Sequence, residues 1–208
     1  KDDGAYEITP NAMGRRALKN TAMLLLCNKR TADDAQLCKA AYDAATNMTD
    51  RMAALYGLIA CGGPERDAAL AHFYETFKSF PLVIDKWFSA QAMVVQDDIM
   101  EVLASLRAHP DFNIRNPNRV RSLYSAFAMS NPVCFHRADG AGYEVLKNAI
   151  LELNGINPQI AARQLTPLRD WRRYMPDRQA KMKAALEEIK ALPDLSPDVF
   201  EIVSKSLL

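Results

Sequence analysis

One hydrophobic period recurs along almost the whole chain. Apolar residues fall at i, i+3, i+4 and i+7, and the pattern restarts again and again behind a proline. Asn116-Pro117, Asn131-Pro132 and Asn157-Pro158 show the device most clearly, and Thr9-Pro10, Phe80-Pro81, Met175-Pro176 and Ser196-Pro197 repeat it. An Asn, Ser or Thr side chain accepts one of the orphan N–H groups at a helix start. Proline fits just inside that start, where its missing N–H costs nothing. No stretch alternates apolar and polar as a half-buried strand would. The period therefore predicts an all-α chain. Helices of about 10 to 18 residues joined by short breaks must fold back as antiparallel neighbours. Many such pairs stacked in order give a superhelical α-solenoid of armadillo or HEAT type. No strict repeat is present, which excludes a regular tetratricopeptide or ankyrin array.

After a loose lead-in over 1–7, a first helix is expected from Pro10 to about Asn28, burying Met13, Ala17, Leu18, Leu24 and Leu25. Thr31 or Asp33 caps a second helix with Ala35, Cys38 and Tyr42 inside, and Thr46 or Asn47 a third with Met52, Leu55, Tyr56 and Ile59. Gly62-Gly63-Pro64 breaks the chain before Leu70, Phe73, Tyr74 and Phe77. Ridges follow at Ile84, Trp87 and Phe88, and at Ile99, Val102, Leu103 and Leu106. Behind Asn116-Pro117 a single helix should bury Val120, Leu123, Tyr124 and Phe127. Arg119 and Arg121 flank that face about 160° apart at roughly 100° per residue, so one reaches solvent while the other enters a groove. The last helices bury Leu146, Ala149, Ile150 and Leu153, then Met182, Ala185, Leu186 and Ile189, then Val199, Ile202 and Val203.

Lys plus Arg is 26 against 25 Asp plus Glu, a net charge of +1, which argues against a general nucleic-acid or anionic-membrane surface. The longest purely apolar run, Ala22 to Cys27, is far short of the roughly 20 residues a membrane span needs. No secretory signal is visible, and the absence of an initiator Met suggests a chain cut from something longer. The four cysteines, Cys27, Cys38, Cys61 and Cys134, form no C-x-x-C pair and read as small buried residues in a reducing compartment.

Catalytic chemistry is hard to find. His72, His109 and His136 lie far apart in sequence, without H-E-x-x-H, G-x-S-x-G or a Walker loop. Cys134 and His136 diverge on a short helix. Asp97-Asp98 and Glu187-Glu188 read as a helix start and a solvated face. The basic run from Arg163 to Lys183, interleaved with Trp171 and Tyr174, has the composition of a nucleic-acid surface, but a solvated face with local ion pairs explains it better. No catalytic or metal-ligating residue is assigned.

Several stretches together resemble a known family. NMTD at Asn47 to Asp50, DKWF at Asp85 to Phe88, NPNRVRSL at Asn116 to Leu123, SNP at Ser130 to Pro132, NPQIAAR at Asn157 to Arg163 and RQAKMKAALE at Arg178 to Glu187 are similar to the C-terminal helical domain of bacterial aminopeptidase N, a zinc metallo-aminopeptidase. The likeness runs from about Ile8 to Leu208. It implies that residues 1–208 are a single C-terminal helical domain of a larger, cytoplasmic enzyme that removes N-terminal residues from peptides. Such a domain caps the catalytic domain and encloses a cavity over the zinc. The resemblance puts Arg121, Gln159 and Arg163 on that cavity wall, and Gln159 and Arg163, at i and i+4, share a helical face. The family's zinc ligands and exopeptidase motif lie upstream and are absent here, so this chain should bind no catalytic zinc. Its expected partners are peptide substrate and the upstream catalytic domain, not nucleic acid or membrane. The rival is a free-standing helical-repeat scaffold that holds a protein partner. An exposed apolar patch would favour the first reading and a polar, self-contained surface the second.

Overall fold

The capping devices act where the sequence places them. The computed structural model describes residues 6–208, so most of the lead-in expected over 1–7 lies outside the described residues. Thr9 caps α1 (Pro10–Leu26), its side chain accepting from Ala12 N, and a 3-10 turn at Cys27–Lys29 follows. Thr31 and Asp34 form a reciprocal capping box on α2 (Ala32–Asp43). Asn47 caps α3 (Met48–Cys61). Gly62, at φ 73°, takes the chain straight into α4 (Gly63–Phe77), a backbone conformation that favours glycine. α5 (Pro81–Met93) and α6 (Ile99–Ala108) follow. Every described residue in regular structure is helical, as expected.

Two compact units divide the chain, Lys1–Gln96 and Asp97–Leu208. In the first, α3 is the centre and touches α1, α2, α4 and α5. Its Ala54, Leu55, Leu58 and Ile59 are fully buried with Phe73, Ile84 and Phe88. Trp87 anchors α5 on α4, with its indole N–H donating to the Leu70 carbonyl at 3.0 Å and its ring 5.4 Å from Tyr74.

α1 departs from the expected burial. Met13, Leu18, Leu24 and Leu25 are exposed, Leu18 by 73% and Leu25 by 70%, and Ala17 is exposed beside them. The face turned inward is Ala12, Arg16 and Asn20. Specific partners explain the inversion. Arg16 Nη2 donates to the Glu7 carbonyl at 2.8 Å and lies over the Tyr6 ring at 4.6 Å. Asn20 Nδ2 donates to Asp50 Oδ1 at 2.9 Å, and Lys19 Nζ reaches Asp50 Oδ2 at 2.6 Å. Periodicity locates an apolar stripe; it does not say whether that stripe meets this chain or another surface.

The second unit holds the Asn116 stretch. Instead of one α-helix, the chain makes α7 (Pro117–Val120), a π-helical turn (Arg121–Ser125) and α8 (Ala126–Ser130). Ser122 Oγ donates to the Arg119 carbonyl at 2.9 Å, a side-chain bond to the preceding turn of the kind that disturbs a helix ladder. The expected face still buries: Val120, Leu123, Tyr124 and Phe127 are all within 6% of full burial. The two arginines divide as expected, with Arg119 only 5% exposed and Arg121 in solvent.

α9 (Pro132–Phe135) is capped by Asn131, whose side chain accepts from Cys134 N. α10 (Ala141–Asn154), α11 (Pro158–Gln164), α12 (Thr166–Arg169), α13 (Pro176–Lys190) and α14 (Pro197–Leu207) complete the unit. α10 packs on α11 and α13, and α14 closes against α11 and α13. Buried Lys147 on α10 pairs with Glu144 at 2.7 Å and with Glu188 of α13.

Part of the basic run over 163–183 is taken up by internal contacts, while Arg163, Arg169 and Arg173 stay exposed. Trp171 is buried, its indole donating to the Ser206 carbonyl at 2.9 Å. Arg172 lies over the Trp171 ring at 4.1 Å and donates to the carbonyls of Ser206 and Leu207. Arg178 Nε donates to the His136 carbonyl at 2.7 Å, and Tyr174 stacks on the His136 ring at 4.2 Å. The two aromatics that would have stacked on bases are occupied, and the run staples helices together.

Candidate functional site

The three residues singled out by resemblance sit on two elements of the second unit. Arg121 opens the π turn, exposed, with Nη2 donating to the Asn118 side-chain oxygen. Gln159 and Arg163 are exposed on α11, one turn apart. Ser125 Oγ, at the far end of the π turn, donates to Gln164 Oε1 on α11 at 2.9 Å. Gln164 is almost wholly buried, so this bond is a fixed tie between the elements that carry all three residues. The hydrogen bond described for Arg121 goes to a neutral amide of its own segment rather than to an acidic neighbour or to Gln159 or Arg163. An exposed guanidinium held this way keeps donors available for a carboxylate or a peptide carbonyl. π turns recur at functional positions, because one extra residue re-aims the side chains around it.

The histidines are placed in structural roles. His72 Nδ1 lies 3.0 Å from the Tyr42 hydroxyl, a partner not legible in the sequence. Burial pushes Tyr42 up to about 12, so its phenol stays protonated at neutral pH. His109 Nδ1 accepts from Asp111 N at 3.1 Å, and burial lowers its pKa. His136 Nδ1 meets the Tyr143 hydroxyl at 2.9 Å; burial, helped by the Arg178 charge, lowers its pKa too. Among the described residues, no group of three or more His, Cys, Asp or Glu side chains converges to hold a metal ion. No helix of the described residues is long and apolar enough to cross a membrane.

The second candidate surface was missed in the sequence. The outward face of α1, with Met13, Ala17, Leu18, Leu24 and Leu25, forms an exposed apolar stripe. It continues into a groove of about 450 Å³ between α1 and α3, floored by Met48, Met52 and Tyr56 and edged by Lys86. Contiguous apolar patches are typical of surfaces through which proteins meet other bodies.

The chain is 42% identical over 205 residues to aminopeptidase N of Caulobacter vibrioides, covering 99% of this chain and 24% of that protein. It is 39% identical over 202 residues to aminopeptidase N of Escherichia coli, covering 97% and 23%. Among solved structures, aminopeptidase A of Legionella pneumophila, determined in complex with aspartic acid, superposes with a TM-score of 0.89 at 31% identity, over 99% of this chain and 25% of that one. The chain therefore spans about a quarter of the length of the relatives it matches. All of residues 1–208 match the family described as "Domain of unknown function (DUF3458_C) ARM repeats", and the chain belongs to that family.

Proposed function

We propose that this chain is the non-catalytic C-terminal helical domain of a zinc metallo-aminopeptidase acting on peptides in the bacterial cytoplasm. In this reading residues 1–208 form one domain of the larger enzyme and serve peptide catabolism by shaping access to its active site. Among the described residues no set of side chains fits a catalytic zinc, and in this reading the metal would be held elsewhere in the polypeptide. The observation that carries the proposal is the uncovered apolar face of α1 with its adjoining groove. It suits a chain that packs against the rest of a larger protein and fits poorly with a self-contained scaffold. Arg121, Gln159 and Arg163 would line the substrate path beyond the scissile bond, the arginines offering donors to the peptide's carbonyls or its terminal carboxylate.

Two expected results test the two halves of this reading in the full-length enzyme. Leu18→Asp with Leu25→Asp should open the seat of α1, making the enzyme more susceptible to limited proteolysis near residue 10. The same pair should leave the helix content of the 208-residue chain unchanged, because both side chains are already in solvent. An enzyme that keeps its protease resistance would refute docking through this face. For the cavity role, Arg163→Ala should raise KM for tri- and tetrapeptides roughly tenfold, the scale of one lost charge-assisted hydrogen bond. It should leave turnover of a single amino-acid anilide unchanged. A uniform effect across substrate lengths would remove Arg163 from the substrate path.

A further inference from the structure

Three of the four cysteines, scattered in sequence, meet in the first unit. Cys27 ends the α1 segment, Cys38 lies in the middle of α2, and Cys61 is the last residue of α3. The Cys38 thiol donates to Cys27 Sγ at 3.2 Å, and Cys27 in turn donates to the Asp34 carbonyl at 3.6 Å. Cys61 stands one turn beyond Gly57 on α3, on the helix face that meets the Cys38 sulfur. Cys27 is 4% exposed and Cys38 fully buried, whereas Cys61 is half-buried and in reach of solvent. Gly57 on α3 makes the space: a Cβ there would lie 2.4 Å from Cys38 Sγ. A glycine in the middle of a helix costs stability, and here it opens a place for sulfur.

We propose that this cluster is a site of covalent oxidation, with Cys61 as the entry thiol, a hydroperoxide as the oxidant and a Cys27–Cys38 disulfide as the product. The Cys61 thiolate attacks one peroxide oxygen. An S–O bond forms, the O–O bond breaks, Cys61 is oxidised by two electrons to the sulfenic acid, and the peroxide leaves as alcohol or water. Cys38 then attacks the Cys61 sulfur. The S–S bond forms, the S–O bond breaks, and the departing hydroxide takes the Cys38 proton as water. Cys27 next attacks the Cys38 sulfur, forming Cys27–Cys38 and breaking Cys38–Cys61, and its proton returns to the released Cys61 thiolate. Two thiols and one hydroperoxide thus give one disulfide, one alcohol and one water. The two inner sulfurs need close by only about an ångström to reach the bond length of roughly 2.0 Å. The bond would tie the end of α1 to α2. Burial holds the Cys61 and Cys38 thiols in the protonated form, so the reaction quickens as pH rises.

The test is made on the intact, fully reduced protein in native buffer. Hydrogen peroxide is added, the reaction is quenched with acid, and remaining thiols are alkylated in denaturant before peptide mass mapping. The expected result is a cross-linked pair of peptides joined through Cys27 and Cys38, with Cys61 recovered as an alkylated thiol. In Cys61→Ser the same cross-link should form about tenfold more slowly or less, the inner thiols having lost their exposed relay. Recovery of Cys27 and Cys38 as free thiols after Cys61 has been consumed would overturn the proposal. So would an unchanged rate in Cys61→Ser, which would remove Cys61 as the entry point. The wild-type map needs no variant, so a misfolded substitution cannot decide the matter.

Discussion

Gly142→Ala should destabilise the second unit by about 2–3 kcal/mol, the range for forcing a group into filled space. Helix propensity predicts the opposite sign, since alanine inside a helix is favoured over glycine by about 1 kcal/mol. Gly142 lies in the first turn of α10 and is buried. A Cβ built there would sit 2.3 Å from the Phe135 carbonyl oxygen and 2.9 Å from that residue's carbonyl carbon. The obstacle is backbone rather than the end of a flexible side chain, so relief requires α9 to move off α10. Phe135 cannot follow cheaply. It is fully buried and meets Phe127 at 5.8 Å and Tyr143 at 5.3 Å between ring centroids. Urea unfolding followed by circular dichroism reads the result. A neutral or stabilising Gly142→Ala would mean that the α9–α10 approach is loose and that the small residue there answers only to turn geometry.

That glycine illustrates what was legible and what was not. Asp139-Gly140-Ala141-Gly142 has the composition of a flexible turn, and Gly140 does take φ 81° before α10. It could not show that the next glycine is small because a distant carbonyl rests on it. Local signals came through well. The caps at Thr31, Asn47, Asn131, Asn157 and Ser196 all accept the backbone N–H groups that their chemistry suits. Helix spans followed, because caps and prolines act within a turn of themselves. Burial was legible wherever an apolar stripe is answered by another stripe of this chain, as at Leu146, Ile150 and Leu153. It failed on α1, where the polar side wins through bonds to Glu7 and Asp50, partners that no helical wheel can see. The π turn left no periodic signal either; there Ser122 Oγ bonds back to the Arg119 carbonyl. The cysteine cluster left no spacing motif at all. Of the candidate site, Arg121, Gln159 and Arg163 were named by resemblance and stand exposed, while the bond between Ser125 and Gln164 that ties their elements together required coordinates.

The contact that turns the polar side of α1 inward makes the other large prediction. Asp50→Ala should cost the first unit about 2–4 kcal/mol, because one carboxylate accepts from three side chains. Its Oδ2 takes Lys19 Nζ at 2.6 Å and Asn47 Nδ2 at 2.9 Å, and its Oδ1 takes Asn20 Nδ2 at 2.9 Å. Removing it leaves the amide of Asn20, itself buried, with no acceptor, and frees α1 to roll. Partial burial alone would raise the Asp50 pKa, but the hydrogen bonds from Lys19, Asn47 and Asn20 outweigh it and hold the group below the ordinary carboxylate value. A carboxylate whose folded pKa lies below its unfolded one adds stability that is complete above the unfolded value. That stability drains away as pH falls through the folded value. The stability gap between wild type and Asp50→Asn should therefore be widest at neutral pH and close progressively on acidification below the ordinary carboxylate range. Urea midpoints measured across that range decide it. A gap that stays constant with pH would mean that the charge contributes nothing and that packing alone holds α1 on α3. A gap that closes would make the seating of α1, and with it the direction its apolar face presents, depend on a single ionised side chain.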